Sequence, residues 1–196
     1  PGISFNYNKI TSLEKGRQLA DNVRNLLKDK LSVIVYNFVD LLSHVRTEME
    51  VLKELAEDEV AYRSLTVSWF EHSPLYEIVE QLSREKVNLI ITTDHGSIKV
   101  TKPSKVIGDK NSTTNLRYKH GKNLSYDEKD VLAIKSPTEA GLPQPHVSSS
   151  YIFAKEDLYF VYPNNYNYYV NFFKDTFQHG GISMEEVLIP FIHLKS

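Results

Sequence analysis

Two apolar runs of this sequence each end in an aspartate with a histidine close behind it. The run "VIVYNFVD" ends at Asp40, four residues before His44, and "NLIITTDHG" reaches Asp94 and His95 before a glycine. Continuous apolar runs of this length, bounded by turn residues, are typical of strands buried in a parallel sheet. Because helical patterns separate the two runs, they predict a right-handed βαβ crossover. The chain is therefore expected to have an α/β fold with one layered architecture.

The segments around these strands carry signals for helices and turns. A Ser/Thr cap before an amphipathic pattern predicts a helix in residues 11–30, and Pro74 marks the first turn of another helix. Residues 41–73 are expected to be mostly helical, whereas residues 100–150 are polar, with "VLAIKS" as their one predicted strand. The rest predicts a hairpin in "YIFAKEDLYFVYP", a helix in "NNYNYYVNFFKDTF", a glycine turn in "QHGGIS" and an edge strand in "VLIPFIHLK".

Composition limits the kinds of site that the chain can build. With 196 residues, 41% of them hydrophobic, it can bury the core of one domain. It contains no cysteine, so disulfides and thiolate sites are excluded and any metal must be held by His, Asp or Glu. The net charge of −2 gives no general attraction to nucleic acid. No apolar stretch approaches the roughly 20 residues that span a bilayer, so a cytoplasmic protein without membrane insertion is expected.

The strand ends and the glycine turn together predict a metal site. The carboxyl ends of parallel strands lie at the same edge of a sheet, so Asp40, His44, Asp94 and His95 are expected to lie close together there. His179, in the glycine turn "QHGG", is the third candidate position. Taken singly, each has an ordinary alternative: helix capping at Asp40, a turn cap at Asp94, exposed histidines, or a plain chain reversal at His179. Their conjunction favours one or two Zn²⁺ or Mn²⁺ ions, and two ions about 4 Å apart are suited to phosphoryl transfer.

Longer motifs resemble a known family. The segments "TTDHGS", "NLRYKHGKNL", "YFVYPNNYN" and "QHGGISMEEVLIPF" resemble the PglZ domain, of the alkaline phosphatase superfamily, at the C-terminus of PorX-type response regulators of Bacteroidetes. The resemblance implies an alkaline-phosphatase-like three-layer sandwich with a mainly parallel central sheet. It also implies that Asp40, His44 and His179 bind one metal, and that Asp94 and His95 form part of a second site.

The resemblance also implies residues that have no counterpart in this sequence. The family completes its second metal site with an aspartate on the first strand and uses a threonine nucleophile at a helix start. On this basis residues 1–196 are expected to be the C-terminal portion of one PglZ domain, with its N-terminal part and a receiver domain absent. Alone, this portion is expected to be inactive, to bind metal weakly or at one site, and to form a homodimer through an exposed sheet edge.

A basic segment supplies candidate phosphate contacts. Between Lys99 and Lys122 there are seven lysines and arginines and one acid. For most of them a solvated loop is the simpler explanation, but Arg117, Lys119 and Lys122 cluster in "NLRYKHGKN" and are predicted to bind substrate phosphate.

The sequence supports two functional hypotheses, an enzyme and a non-catalytic module. The first is a zinc-dependent phosphodiesterase domain of a two-component response regulator, hydrolysing nucleotide or oligonucleotide phosphodiesters. Its partners would be its own receiver domain and a histidine kinase or another signalling protein. The alternative is a non-catalytic signalling and dimerisation module that retains the fold and the metal site.

Overall fold

The computed structural model of the chain describes residues 2–38, 42, 49, 54, 58–109 and 112–195. They fall into two compact units, one formed by Pro1–Ile91 with Phe191–Ser196 and the other by Thr92–Pro190. Asp40 and His44, which were predicted to follow the first apolar strand, lie outside the described residues. Among the helices of the described part, none is both long and apolar enough to cross a membrane.

The first unit begins with a parallel strand pair. Strands β1 (Phe5–Ile10) and β2 (Leu31–Tyr36) pair in register from Phe5 opposite Leu31 to Ile10 opposite Tyr36. The connection holds helix α1 (Leu13–Asp21) and a 3₁₀ helix (Val23–Lys28), as expected for a crossover between parallel strands. The Ser12 hydroxyl accepts a hydrogen bond from the Lys15 amide and caps α1. The predicted strand and helix are confirmed, whereas β1 is not predicted from the sequence.

Two further helices and a second strand pair complete this unit. They are α2 (Glu59–Glu71), α3 (Pro74–Ser83), β3 (Asn88–Thr92) and β11 (Phe191–Lys195), with β3 paired to β11. The side chains of Asp58 and Ser73 cap α2 and α3, so both helices start at a local sequence signal. In the described residues β2 pairs with β1 and β3 with β11 in separate sheets, so the predicted βαβ crossover from β2 to β3 within one sheet is not found.

The second unit contains three small sheets. Strand β4 (Ile98–Lys99) is antiparallel to β10 (Phe177–Gln178), and β5 (Lys102–Lys105) is parallel to β9 (Leu158–Val161). Strand β8 (Ser150–Ala154) lies between β6 (Tyr118–Gly121) and β7 (Val131–Ile134) in an antiparallel sheet. The helices are α4 (Tyr166–Phe173) and α5 (Met184–Val187), with 3₁₀ turns at Glu128–Asp130 and Pro137–Ala140.

The predicted hairpin of β8 and β9 is wrong. The two strands follow each other directly, yet β8 pairs with β6 and β7 while β9 pairs with β5. Asp157, between them, explains this change of sheet. Its carbonyl accepts from the Thr101 amide, and its carboxylate accepts from the Thr101 hydroxyl and from Lys102 Nζ at 3.0 Å. These contacts attach the start of β9 to β5, so β9 does not fold back on β8.

The described strands make an α/β structure of five small sheets with both parallel and antiparallel pairs. The single, mainly parallel central sheet that was predicted is not formed by these residues. The apolar cores are correspondingly local. In the first unit, α1, the 3₁₀ helix and α3 bury Ala20, Val23, Leu26, Ile78 and Leu82 against one another. In the second unit, Val106, Val131, Ile152, Ala154 and Phe160 form a core cluster beneath the sheets.

Replacing Ile78 by alanine tests the core of the first unit. Ile78 is only 1% exposed at the α1–α3 contact, so Ile78→Ala should lower the free energy of unfolding by about 2–5 kcal/mol. Urea unfolding followed by circular dichroism measures the change. Val67→Ala is the matched control, because Val67 on α2 is exposed and should change stability by less than about 0.5 kcal/mol. Equal effects of the two substitutions would contradict this core.

Candidate metal centre

The second unit brings His95 and His179 into direct contact. Their rings are stacked, with centroids 3.9 Å apart and planes inclined by 11°. His95 lies just before β4, and His179 lies just after β10. The antiparallel pairing of these strands, with Ile98 opposite Gln178, places the two histidine segments side by side. Two of the sequence-predicted ligands therefore meet through a pairing between distant parts of the chain.

Hydrogen bonds orient the His95 ring. Its Nδ1 lies 2.9 Å from the Gly96 carbonyl oxygen, so Nδ1 carries a proton and donates it, and in the neutral ring the lone pair is on Nε2. Asp94 Oδ1 accepts from the His95 amide at 3.1 Å and lies 3.8 Å from His95 Nε2. The Asp94 side chain is 89% exposed. An imidazole nitrogen and a carboxylate are thus presented together at the surface of this unit.

The donor set suits zinc or manganese but is incomplete. Imidazole nitrogens and a carboxylate are ordinary ligands of both ions. In the described part of the chain, however, no group of three or more His, Asp or Glu residues could hold an ion. The nitrogen lone pairs of two nearly parallel, stacked rings lie in separate planes and do not converge on one point. The stacked pair therefore suits one histidine for each of two ions, because two-metal sites have spacings of about 3.5–4 Å.

The backbone around His179 is fixed by a neighbouring loop. Gly180 has a φ of +102°, in the region that favours glycine, and a Cβ there would lie 3.0 Å from Asn115 Nδ2. The Asn115 amide donates from Nδ2 to the His179 carbonyl at 3.3 Å, while its Oδ1 accepts from the Arg117 and Tyr118 amides. The turn after His179 therefore requires a glycine and lies against the segment before β6.

Arg117, predicted to bind phosphate, is instead a buried structural residue. Its side chain is 0% exposed, and it makes a bidentate ion pair with Glu186, from Nε to Oε1 at 2.9 Å and from Nη2 to Oε2 at 2.8 Å. Its other hydrogen bonds go to the carbonyl oxygens of Leu158 and Ala154. These donors are directed into the protein and face no solvent, so the structure does not support the predicted phosphate contact.

Glu186 is the site residue that the sequence prediction missed. Burial raises the pKa of its carboxyl, but hydrogen bonds and charge from Arg117, with hydrogen bonds from Gly181 and Ser183, outweigh this and hold the pKa below its usual range. Ser183 and Glu186 form a capping box at the start of α5. The motif "SMEE" carries the S-x-x-E signature of such a box, so this part of its role was accessible from the sequence.

Lys119 is also buried and is not available to a phosphate. It is 1% exposed, donates from Nζ to the Thr113 carbonyl at 2.9 Å, and lies 4.5 Å above the Tyr162 ring. Burial lowers its pKa to about 8. Residues two apart in an extended segment point to the same face. The sequence therefore indicates that Arg117, just before β6, and Lys119, within it, lie on one face, which the structure buries. Lys122 is half-buried, and its contact with phosphate stays a prediction.

Replacing Gly96 tests the close approach beside His95. A Cβ at Gly96 would lie 2.0 Å from the Glu185 carbonyl oxygen, so Gly96→Ala must shift backbone. It should lower the free energy of unfolding by about 1–3 kcal/mol, measured by urea unfolding. Gly2→Ala is the control, because nothing lies within 4 Å of a Cβ at Gly2. A Gly96→Ala protein as stable as the Gly2→Ala protein would contradict the packing.

The buried lysine predicts a dependence of stability on alkaline pH. The pKa of Lys119 is lowered from 10.5 to about 8 in the folded protein, so between these values the unfolded chain binds more protons. The contribution of Lys119 to the free energy of unfolding should therefore rise with pH from about 8 to about 10.5. Urea unfolding of the wild type and Lys119→Met across this range should show the difference moving in favour of the wild type. Parallel pH curves would contradict the burial of the amine.

Comparison with known proteins identifies the family. A family model described as "BREX system PglZ alkaline phosphatase-like domain" matches residues 1–194. A search of curated proteins found no match. The matched family supports an α/β fold and a phosphoesterase type of hydrolase, and alkaline-phosphatase-like proteins are in general metal-dependent. The chain, with its paired histidines at two loop segments of the second unit, belongs to the PglZ alkaline phosphatase-like domain family.

Proposed function

We propose that this domain is a zinc-dependent phosphodiesterase acting on nucleotide or oligonucleotide phosphodiesters. The observation that carries the proposal is the stacked pair of His95 and His179 beside Asp94, in a member of a phosphatase-like family. We assign His179 to one ion, with Asp40 and His44, and Asp94 and His95 to the other. Manganese is the second candidate, because the same ligand types bind it.

The described residues have defined tasks in such a site. The Nδ1–H group of His95 is held by the Gly96 carbonyl, which in the neutral ring places the lone pair on Nε2, the nitrogen that would bind an ion. The carboxylate of Asp94 is turned towards His95 by the His95 amide and remains open to solvent. When bound, two divalent ions lower the pKa of a nucleophile and stabilise the attacking and leaving oxygens. Lys122 is the basic residue that we retain as a phosphate contact.

The proposed biological context is a two-component response regulator of the PorX type. Its receiver domain and a histidine kinase, or another signalling protein, would be its partners. A homodimer is also part of the proposal. It is supported by β11, all five residues of which are exposed, and by the exposed Phe5 and Phe191 in the same unit, because exposed apolar strands favour association.

The burial of Arg117 and Lys119 favours a second candidate function. It removes two of the three predicted phosphate contacts, as expected for a domain that keeps a metal site but no longer processes a phosphodiester. Such a non-catalytic module would use metal binding to control dimerisation or partner binding.

Hydrolysis by the full-length protein separates the two functions. With zinc supplied, we expect turnover of bis-p-nitrophenyl phosphate that is abolished by a chelator and restored by zinc. Asp94→Ala and His179→Ala should each lower kcat/KM by roughly 100-fold or more, since a metal contributes several kcal/mol to transition-state stabilisation. The control is His146→Ala, because His146 is exposed and has no assigned role. Zinc binding without turnover would support the non-catalytic module, and activity unaffected by His179→Ala would contradict the site.

A further inference from the structure

One residue contacts the backbone of both histidine segments. The Glu186 carbonyl accepts a hydrogen bond from the amide of Gly96, the residue after His95, at 2.9 Å. The Glu186 carboxylate accepts from the amide of Gly181, two residues after His179, at 2.8 Å. The position of each histidine relative to the other therefore depends on where Glu186 lies.

Glu186 is in turn fixed to the sheets by Arg117. The bidentate pair directs two N–H groups of one rigid guanidinium at the two carboxylate oxygens, which fixes distance as well as orientation. The Arg117 side chain also bonds to the Ala154 carbonyl, and its backbone carbonyl accepts from the Ala154 amide at 2.8 Å. The pair thus connects the glycine turn and α5 to the end of β8.

The carboxylate has a full set of donors and little space around it. Besides Arg117 and Gly181, the amide and hydroxyl of Ser183 donate to Oε2 at 3.1 and 2.8 Å. A Cβ at Gly181 would lie 2.7 Å from Glu186 Oε2 and 2.8 Å from Arg117 Nη2. The turn after His179 is therefore packed directly against the ion pair, and a movement of the pair must move the turn.

We propose that Arg117 and Glu186 are positioning residues that set the spacing of His95 and His179 and thereby the metal affinity of the site. This inference rests on the metal site proposed above. A buried ion pair is weak evidence for overall stability, because removing two charges from water offsets their attraction. The geometry of this pair, which holds both histidine segments, gives it a more specific role. Neither side chain reaches the surface where an ion or a substrate would bind.

Arg117→Met and Lys119→Met form a matched pair of variants. Each replaces a buried cation by an uncharged, unbranched thioether, and the two positions lie two residues apart. Lys119 contacts Thr113 and Tyr162, and the hydrogen bonds that fix Glu186 come from Arg117, Gly181 and Ser183. Arg117→Met should disturb the histidine pair, whereas Lys119→Met should leave it unchanged.

The first measurement needs no metal. In the metal-free protein, the imidazole proton resonances of His95 and His179, assigned by single His→Ala variants, carry ring-current shifts from the stacking. Arg117→Met should move both towards the position of the exposed His146, and Lys119→Met should not. Unchanged resonances in a folded Arg117→Met protein would overturn the proposal. This result does not depend on whether the site binds zinc.

The second measurement is zinc affinity by calorimetry at neutral pH. Arg117→Met should weaken binding by about 10–100-fold, as is typical when residues behind metal ligands are changed, with Lys119→Met unchanged. If the wild type binds no zinc while the histidine resonances respond as expected, the proposed metal site fails and the positioning of the histidines stands. If zinc binds equally to both variants, the link from position to affinity is wrong.

Two milder variants keep the test valid if Arg117→Met does not fold. Ser183→Ala removes one hydroxyl donor to Glu186 Oε2 without leaving a buried charge unpaired, and it should give smaller changes of the same sign. Arg117→Lys keeps the charge but loses the bidentate geometry. If positioning depends on that geometry, Arg117→Lys should also displace the histidine resonances. Wild-type resonances in both folded variants would overturn the proposal.

Discussion

The charges of Arg117 and Glu186, removed from water, are the constraint on which the second unit depends. An unpaired buried charge is costly, so each must find its partners inside the protein. The carboxylate takes donors from Arg117, Gly181 and Ser183, and the guanidinium takes carbonyls at the ends of two strands. These hydrogen bonds fix the positions of α5, the glycine turn and the ends of β8 and β9 relative to one another. The neighbourhood of His179 is thus a consequence of charge compensation beneath it.

Local signals in the sequence predicted local structure well. The cap at Ser12, the proline at the start of α3 and the apolar run of β2 act over a few residues, and each has its expected element. Strand β1 was missed because "FNYNKI" is short and contains two asparagines, a residue type that is depleted in strands. The partner of β9 could not be found in the same way, because Asp157 attaches this strand to β5 through contacts with residues far away in the chain.

The candidate site shows a similar division. Motif and resemblance together selected His95 and His179, which the structure places in contact. Positive charge alone selected Arg117 and Lys119, and charge does not tell whether a side chain faces solvent or a buried carboxylate. The contacts of Glu186 with Arg117 and Gly181 form only when the loops are folded, so the sequence could predict only its role in the helix cap. Asp40 and His44 lie outside the described residues, and their place in the ligand set stays a prediction.

The strand pair that brings the two histidines together is very short. Strands β4 and β10 contribute only two residue pairs, and short ladders near loops open more readily than a packed core. Separation of the imidazoles thus requires a local opening of this ladder and of the Glu186 contacts with Gly96 and Gly181, without global unfolding. A ligand that bridges both segments would bind only the closed form, and its apparent affinity would be reduced by the fraction of molecules that are open. The fraction of molecules with β4 and β10 paired and the apparent affinity for such a ligand therefore report the same opening equilibrium.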